Sequence, residues 1–166
     1  MNFPLGTLRL SGKTPKQWDP KTELDNLSQQ NFSGYVIETL FNGQSIDECA
    51  LVFRAGQAIG ATYELHYSNQ SVSGDASLSL IGNAFAAEAG MLDIVELSTQ
   101  QVDLITAFNA KLKLSKPIIR GQFRGMVKDA FDSTLLPRTS VEGMAAVDSK
   151  ESLFKKFGLA GIDQVR

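Results

Sequence analysis

The chain has 166 residues but only one cysteine and one histidine, and these two scarcities exclude several kinds of site. Because Cys49 is the only cysteine, neither an intramolecular disulfide nor a cysteine-rich metal motif can form. The single imidazole, that of His66, cannot supply the histidine-rich ligand set of a typical zinc site. We therefore expect a reducing compartment, and the sequence predicts neither a metal nor a cofactor.

The chain also lacks long hydrophobic runs and a large excess of charge of either sign. No window approaches about 18 uninterrupted apolar residues, and residues 1–10 contain no cleavage-like segment of small side chains. The formal net charge is -2, so the global basicity of a dedicated nucleic-acid binder is missing. These absences predict a cytoplasmic protein that does not span a membrane, and they leave a local basic patch open.

The alternation of apolar and polar residues predicts an α+β fold built on a small antiparallel sheet. Residues 32–41 alternate with a period of two and are rich in β-branched and aromatic side chains, as is typical of a strand. Two further strands are expected at residues 48–53 and 57–63, and the three would form a meander. We expect a three- to four-stranded antiparallel sheet packed against helices, in which residues 91–97 would be the fourth strand. Residues 6–10 could form a short strand at the edge.

Capping signals place two helices. Asp19 before a proline is a strong helix start, since aspartate can cap free N–H groups and proline suits the first helical position, so residues 20–30 are predicted to be helical. Ser98 and Gln101 have the spacing of a capping box, which predicts a helix from there to about residue 114.

Two further helical segments and a C-terminal extension complete the predicted organisation. Residues 74–89 are rich in small apolar side chains and should form a helix buried on more than one side. Residues 118–131 also have helical spacing, despite two glycines. We predict an α+β domain over 1–132, a linker over 133–149 and a short C-terminal helix over 150–166.

Two glycines four residues apart, Gly56 and Gly60, raise the question of a phosphate-binding loop. A phosphate loop needs a longer glycine loop, a Lys-Ser/Thr pair and then a helix, and none of these follows here. We interpret the stretch as a hairpin with a three-residue connection, residues 54–56, in which Gly56 takes a left-handed bulge position. Gly60 would lie inside the returning strand, where the missing side chain permits close packing.

Several short motifs occur along the chain in a fixed order. They are residues 32–36 (FSGYV), 51–61 (LVFRAGQAIGA), 74–76 (GDA), 93–102 (DIVELSTQQV) and 150–158 (KESLFKKFG). In this order they resemble an uncharacterised archaeal family of unknown function and, more distantly, the PATAN domain attached to bacterial response regulators. The resemblance implies an α+β fold and an adaptor or signalling role. It transfers no functional residue, because the archaeal family has no established activity.

No set of residues in the sequence predicts catalysis. Cys49 alternates with Leu51 and Phe53, so it is expected to be a small core residue, and His66 lies in a polar run typical of a surface loop. Three carboxylate pairs are interpreted as solvated faces, namely Asp47 with Glu48, Asp93 with Glu96, and Asp129 with Asp132. The protein is predicted not to be an enzyme, and the enzymatic alternative would need a pocket that gathers these groups.

The strongest functional signal is a run of six cations between residues 111 and 128 that no acid interrupts. Arg120, Arg124 and Lys128 repeat every four residues, so they would form a basic stripe if residues 118–131 are helical. Such a stripe could bind phosphates, an acidic protein surface or an anionic ligand. An ordinary solvated face is the alternative interpretation.

Two apolar features favour binding to a protein partner. The last helix carries Leu153, Phe154 and Phe157, of which Leu153 and Phe157 share a face suited to a groove. The small-residue helix around 84–89 could pack against a second copy, and for both features burial within the chain is the alternative. We therefore predict a non-enzymatic protein–protein interaction module, adaptor or regulatory, with a homodimer as one form of it. The alternative is nucleic-acid or anionic-ligand binding through residues 111–128.

Overall fold

The computed structural model describes residues 3–41 and 46–135. They fall within the first of the two units into which the chain divides, Met1–Leu136. Apart from residues 133–135, the predicted linker and the predicted C-terminal helix lie outside the described residues, so both stay predictions.

A seven-stranded antiparallel sheet forms the framework of this unit. Its strands are β1 (Thr7–Lys13), β2 (Gly34–Phe41), β3 (Ile46–Arg54), β4 (Gln57–Leu65), β5 (Gln70–Ser73), β6 (Met91–Glu96) and β7 (Lys113–Ile118). They lie in the order β1-β6-β2-β3-β4-β5, and β7 pairs with the part of β4 that β5 does not reach. The α+β fold and the meander β2-β3-β4 are confirmed. The predicted count of three to four strands is wrong, because further strands extend the meander on both sides.

Four α-helices are present among the described residues, and none is long and apolar enough to cross a membrane. They are α1 (Pro20–Gln29), α2 (Leu78–Ala84), α3 (Thr99–Phe108) and α4 (Phe123–Met126). The helix start at Pro20 is confirmed, but the side chain of Asp19 makes no cap hydrogen bond. The capping box of α3 is also confirmed, since the Gln101 amide donates to Ser98 Oγ at 3.2 Å and the Ser98 amide donates to Gln101 Oε1 at 2.9 Å.

The connection between β3 and β4 is a two-residue turn, one residue shorter than predicted. Arg54 pairs with Gln57, so only Ala55 and Gly56 lie between the strands. Both have positive φ, 46° and 82°, as a type I′ hairpin turn requires. The turn is held from outside, since the Ala55 amide donates to Ser33 Oγ at 2.8 Å and the Gly56 amide donates to the Phe32 carbonyl at 2.8 Å.

A β-bulge next to this turn sets the register of the rest of the hairpin. Phe53 pairs with Ala58, whereas Val52 pairs with Gly60, so Ile59 is an extra residue on β4. Because of this extra residue, Glu48 pairs with Glu64, whereas without it Glu48 would pair with Tyr63. Because alternate residues of a strand point to opposite faces, the bulge decides which side chains of β4 meet those of β3.

The two faces of the sheet carry separate hydrophobic clusters. One face, here called the α1 face, packs against α1, α2 and α4 through the larger cluster, which includes Leu24, Ile81 and Phe123. The other, here called the α3 face, packs against α3 through a smaller cluster that includes Val102 and Ile105. Arg54 and Asp103 further fix α3 to the hairpin, with N–O distances of 2.7 and 3.1 Å.

The predicted helix over residues 74–89 is confirmed only in part, because it begins as a 3₁₀ turn and ends at Ala84. A 3₁₀ turn occupies Gly74–Ser77, α2 covers only Leu78–Ala84, and the preceding residues form strand β5. The small residues are nevertheless used for close packing within the chain, because a Cβ on Gly82 would lie 2.1 Å from the Met126 carbonyl oxygen. Ala84, Phe85 and Ala87 are buried, so the surface proposed for a second copy is already covered in cis.

The predicted helices over 99–114 and 118–131 are also too long. α3 ends at Phe108, a 3₁₀ turn follows over Ala110–Leu112, and β7 then begins at Lys113 on the free edge of β4. Beyond β7 only Phe123–Met126 is α-helical. Gly121 has a φ of 85°, which a right-handed helix does not accommodate, so the chain turns before α4.

Candidate functional site

One end of the α3 face is left open by the described helices. In the register of the sheet, Met91, Thr39, Glu48 and Glu64 form a row across β6, β2, β3 and β4. Phe41 and Ile46 pair with each other one row further out. All six lie on the face that α3 covers only at its other end, beside the turn at Ala55.

Three large apolar side chains on this surface stay exposed to solvent. The exposed fractions are 64% for Phe41, 51% for Ile46 and 54% for Met91. They belong to three neighbouring strands, β2, β3 and β6. Here the open end means these three residues. Single exposed apolar side chains are common on protein surfaces. Three of them close together on one face of a sheet indicate an interaction surface more strongly.

A polar cluster lies beside the open end. Glu48 and Glu64 are paired directly across β3 and β4, and Nε2 of His66 lies 3.0 Å from Oε2 of Glu48. One ligand atom from each of the three residues lies within 4.8 Å of the other two. The prediction that His66 is a surface residue is confirmed, because its side chain is 46% exposed. The sequence did not indicate that the imidazole would contact a carboxylate.

The reverse face carries a buried carboxyl group that the sequence did not single out. Glu38 is fully buried on the α1 face, and its burial raises the pKa of the carboxyl group well above its usual value. Oε2 accepts the thiol hydrogen of Cys49 at 3.9 Å, whereas Oε1 has no hydrogen-bond partner among the described residues. A carboxyl group in this environment favours its neutral form.

Cys49 is a core residue, as predicted. It is fully buried, and its burial, together with the nearby Glu38, raises the pKa of the thiol well above its usual value. It lies on the opposite face from Glu48 and its partner His66, since Glu48 and Cys49 are adjacent on one strand. The two groups weighed for catalysis are therefore not brought together.

The carboxylate pairs of the sequence are likewise separated or engaged elsewhere. Asp47 is fully buried and accepts a hydrogen bond from Tyr63 at 3.0 Å, while its neighbour Glu48 points to the other face. Asp93 accepts from the Gly12 amide at 2.9 Å, and Asp129 pairs with Lys21. The Lys21 ammonium lowers the pKa of the Asp129 carboxyl group. The interpretation as solvated faces is wrong for Asp47, because it is buried.

A cavity of about 740 Å³ opens on the α1 side of the unit, between α1 and the residues that follow α2 and α4. Its charges balance, because three lysines and three acids line it, and Lys16 pairs with Glu88 at 3.0 Å. The described lining residues include no cysteine, histidine, serine or threonine. The cavity therefore offers neither a thiol nor a hydroxyl nucleophile among these residues, and no net attraction for an anion.

The basic segment, residues 111–128, is held in place through its backbone. The Ser115 amide donates to Asp75, the Gly121 amide to Asp25 at 2.8 Å, and the Lys128 amide to the Gly82 carbonyl at 2.9 Å. Five of its cations are exposed and have no ion-pair partner among the described residues. They are Lys111, Lys113, Lys116, Arg120 and Arg124.

The predicted stripe of Arg120, Arg124 and Lys128 does not lie on one helix. Arg120 falls in the turn after β7, Arg124 lies in the single turn of α4, and Lys128 is half-buried beyond it. Their role in anion binding stays a prediction. The other predicted contacts, Leu153, Phe154 and Phe157, lie outside the described residues.

The site and fold together define an antiparallel α+β domain in which the described residues show no assembled catalytic set. A family profile described as "Uncharacterized protein conserved in archaea (DUF2226)" matches residues 1–109. The match covers more than half of the chain, and the chain belongs to this archaeal family. No curated protein and no solved structure matches it significantly. The matched residues include the open end, whereas the basic segment lies beyond them.

Proposed function

We propose that the protein is a non-enzymatic interaction module of the cytoplasm, adaptor or regulatory, whose open end binds the apolar surface of a protein partner. The observation that supports this proposal is the joint exposure of Phe41, Ile46 and Met91 on one rigid sheet face. Exposed apolar residues that cluster in this way are typical of interaction surfaces. The motif resemblance to the PATAN domain adds the expectation of an adaptor or signalling role.

The face suits a partner better than the sheet edges do. β1 is an irregular edge with two register shifts against β6, and β7 carries Lys113, Lys116 and Pro117. Bulges, lysine and proline are the features by which proteins discourage pairing at strand edges. Side-chain contacts on the open end therefore explain binding better than the addition of a strand.

The proposal predicts that polar side chains at the open end weaken partner binding. We expect the double variant Phe41→Ser, Met91→Ser to weaken affinity by about 30-fold or more, because central apolar contacts of an interface commonly contribute 2 kcal/mol or more. The measurement is quantitative capture of partners from native cells, followed by titration with the purified partner. Light scattering of the chain alone tests whether the partner is a second copy.

The matched control is Phe108→Ser, since Phe108 is 83% exposed but lies on α3. It should leave binding unchanged, and both variants should keep the wild-type thermal midpoint because the replaced side chains are largely exposed. Equal binding by the wild type and the double variant would contradict the role of the open end.

A second candidate function is the binding of nucleic acid or another anionic ligand. The observation in its favour is the run of exposed cations in the basic segment with no described ion-pair partner. Backbone hydrogen bonds hold the chain that carries these side chains, so binding phosphates would not require the backbone to be ordered first. This function would be located outside the family-matched residues.

Charge reversal at Arg120 and Arg124 should weaken such binding by about tenfold or more, and the affinity should fall steeply between about 50 mM and about 200 mM salt. Fluorescence anisotropy with single-stranded RNA and DNA measures both effects. Lys13→Glu is the control, because Lys13 is exposed on β1, at the far edge of the sheet. The absence of binding at low salt would refute this second function.

A further inference from the structure

Glu48, Glu64 and His66 form a compact cluster beside the open end that the proposed function does not use. Each contributes one ligand atom to a group whose members lie within 4.8 Å of one another. The closest pair, Nε2 of His66 and Oε2 of Glu48, is 3.0 Å apart. Two carboxylate oxygens and one imidazole nitrogen thus converge on a single small volume.

The register of the hairpin places two carboxylate ligands next to each other. Glu48 and Glu64 are direct partners in the β3-β4 ladder, so their side chains project from the same face of the sheet. Nε2 of His66 reaches Oε2 of Glu48, which adds an imidazole nitrogen to the two carboxylates. A protonated imidazole cannot act as a metal ligand, so metal binding requires the neutral form of His66.

The scaffold of the cluster is rigid. β3 pairs with β2 on one side and β4 on the other, and β4 pairs with β5 at Glu64, where Ser71 is the partner. The His66 amide donates to the Ile46 carbonyl at 3.3 Å, which fixes the residue that follows the strand. Ligands on paired central strands are better ordered than ligands on loops.

We propose that Glu48, Glu64 and His66 bind a divalent transition metal of the Zn²⁺ class. Zinc accepts imidazole nitrogen and carboxylate oxygen at about 2.0–2.2 Å, so three ligand atoms on one ion lie roughly 3–4 Å apart. The three ligand atoms of the cluster, within 4.8 Å of one another, are close to that spacing. Magnesium and calcium prefer sites made of oxygen alone. Three protein ligands leave one position of the tetrahedron to water or to a group of a partner. This inference is independent of the proposed function.

The imidazole of His66 is a specific probe, because the chain contains no other histidine. On titration of the untagged chain with zinc chloride near neutral pH, its NMR signals should shift and saturate at a stoichiometric amount of metal. The thermal midpoint should rise in parallel, since a ligand that binds only the folded state stabilises it. His66→Gln should remove the thermal effect.

Glu64→Gln distinguishes a three-ligand site from a lone surface histidine. It preserves the shape of the side chain, so the variant should fold, but zinc affinity should fall by about tenfold or more. Glu88→Gln is the control, because Glu88 is an exposed acid paired with Lys16, and it should bind zinc like the wild type. If Glu64→Gln and Glu48→Gln bind zinc as tightly as the wild type, or if excess zinc leaves the His66 signals unchanged, the proposal is overturned.

Discussion

Replacing Gly56 by alanine is expected to lower the free energy of unfolding by about 3 kcal/mol, because a left-handed conformation and a steric clash coincide at this residue. Gly56 has a φ of 82°, where a residue with a Cβ is strained. The added Cβ would also lie 2.3 Å from the carbonyl oxygen of Ser28 at the end of α1. Chemical denaturation of the variant, followed by far-UV circular dichroism, measures the loss.

Gly121→Ala separates the two contributions. Gly121 has a similar φ of 85°, but a Cβ there would meet no atom within 4 Å. Its replacement should therefore cost only the conformational term, about 1 kcal/mol. Equal losses in the two variants would show that α1 moves away from the turn without cost, and would contradict the close contact. Neither replacement touches the open end, so binding by the folded fraction should persist.

The three central strands and two helix starts show which parts of the fold can be predicted from the sequence. The alternation in β2, β3 and β4 predicts three strands because each strand buries one face or both, and the pattern is local. Two independent local signals, the Pro20 start and the capping box at Ser98, also locate the first residues of α1 and α3 correctly. In these cases the interactions that stabilise an element lie within the element.

Strand β7 shows why other elements could not be predicted. Its residues, 113–118, include Pro117 and two lysines, which are poor strand formers. The strand forms because the edge of β4 beside Gly60 is open. A Cβ atom added to Gly60 would lie only 3.3 Å from the carbonyl oxygen of Leu112, so glycine leaves room for the chain that leads into β7. Tertiary pairing therefore overrides local preference, and no window of the sequence contains that information.

The cluster of Glu48, Glu64 and His66 could not be predicted for a related reason. With the two-residue turn alone, Glu48 would pair with Tyr63, and Glu64 would point to the opposite face. The extra residue Ile59 shifts the register by one and brings the two glutamates together. The only local signal is that Glu64 and His66 are two residues apart, so they share a face if the strand continues. That Glu48 lies opposite them follows only from the bulge.

Replacing Glu38 by glutamine is expected to remove a pH dependence of stability that the wild type shows above about pH 4.5. In the unfolded chain a glutamate loses its proton near its ordinary pKa of about 4.3. In the folded protein burial raises the pKa of Glu38 well above that value, so the folded state retains the proton. The unfolded state is therefore favoured increasingly as the pH rises, until the folded pKa is reached.

The expected slope in this window is up to about 1.4 kcal/mol per pH unit in the wild type, and close to zero for this residue in Glu38→Gln. The glutamine side chain of the variant does not ionise, so its effect on the free energy of unfolding is the same at every pH. The difference in free energy of unfolding between the two proteins should therefore grow with pH in favour of the variant. Denaturant unfolding at several values from about pH 5 to about pH 8 measures it.

The same window isolates Glu38 from the exposed acids. Arg54 lowers the pKa of Asp103, and Lys21 lowers that of Asp129, so the stability these pairs contribute is present above about pH 4 and is lost only at more acidic pH. The thiol of Cys49, whose pKa is raised by burial, acts only above about pH 8. Parallel stability curves for the wild type and Glu38→Gln would show that Glu38 is ionised in the folded state, and therefore that a counter-charge or water reaches Oε1 past Gly90.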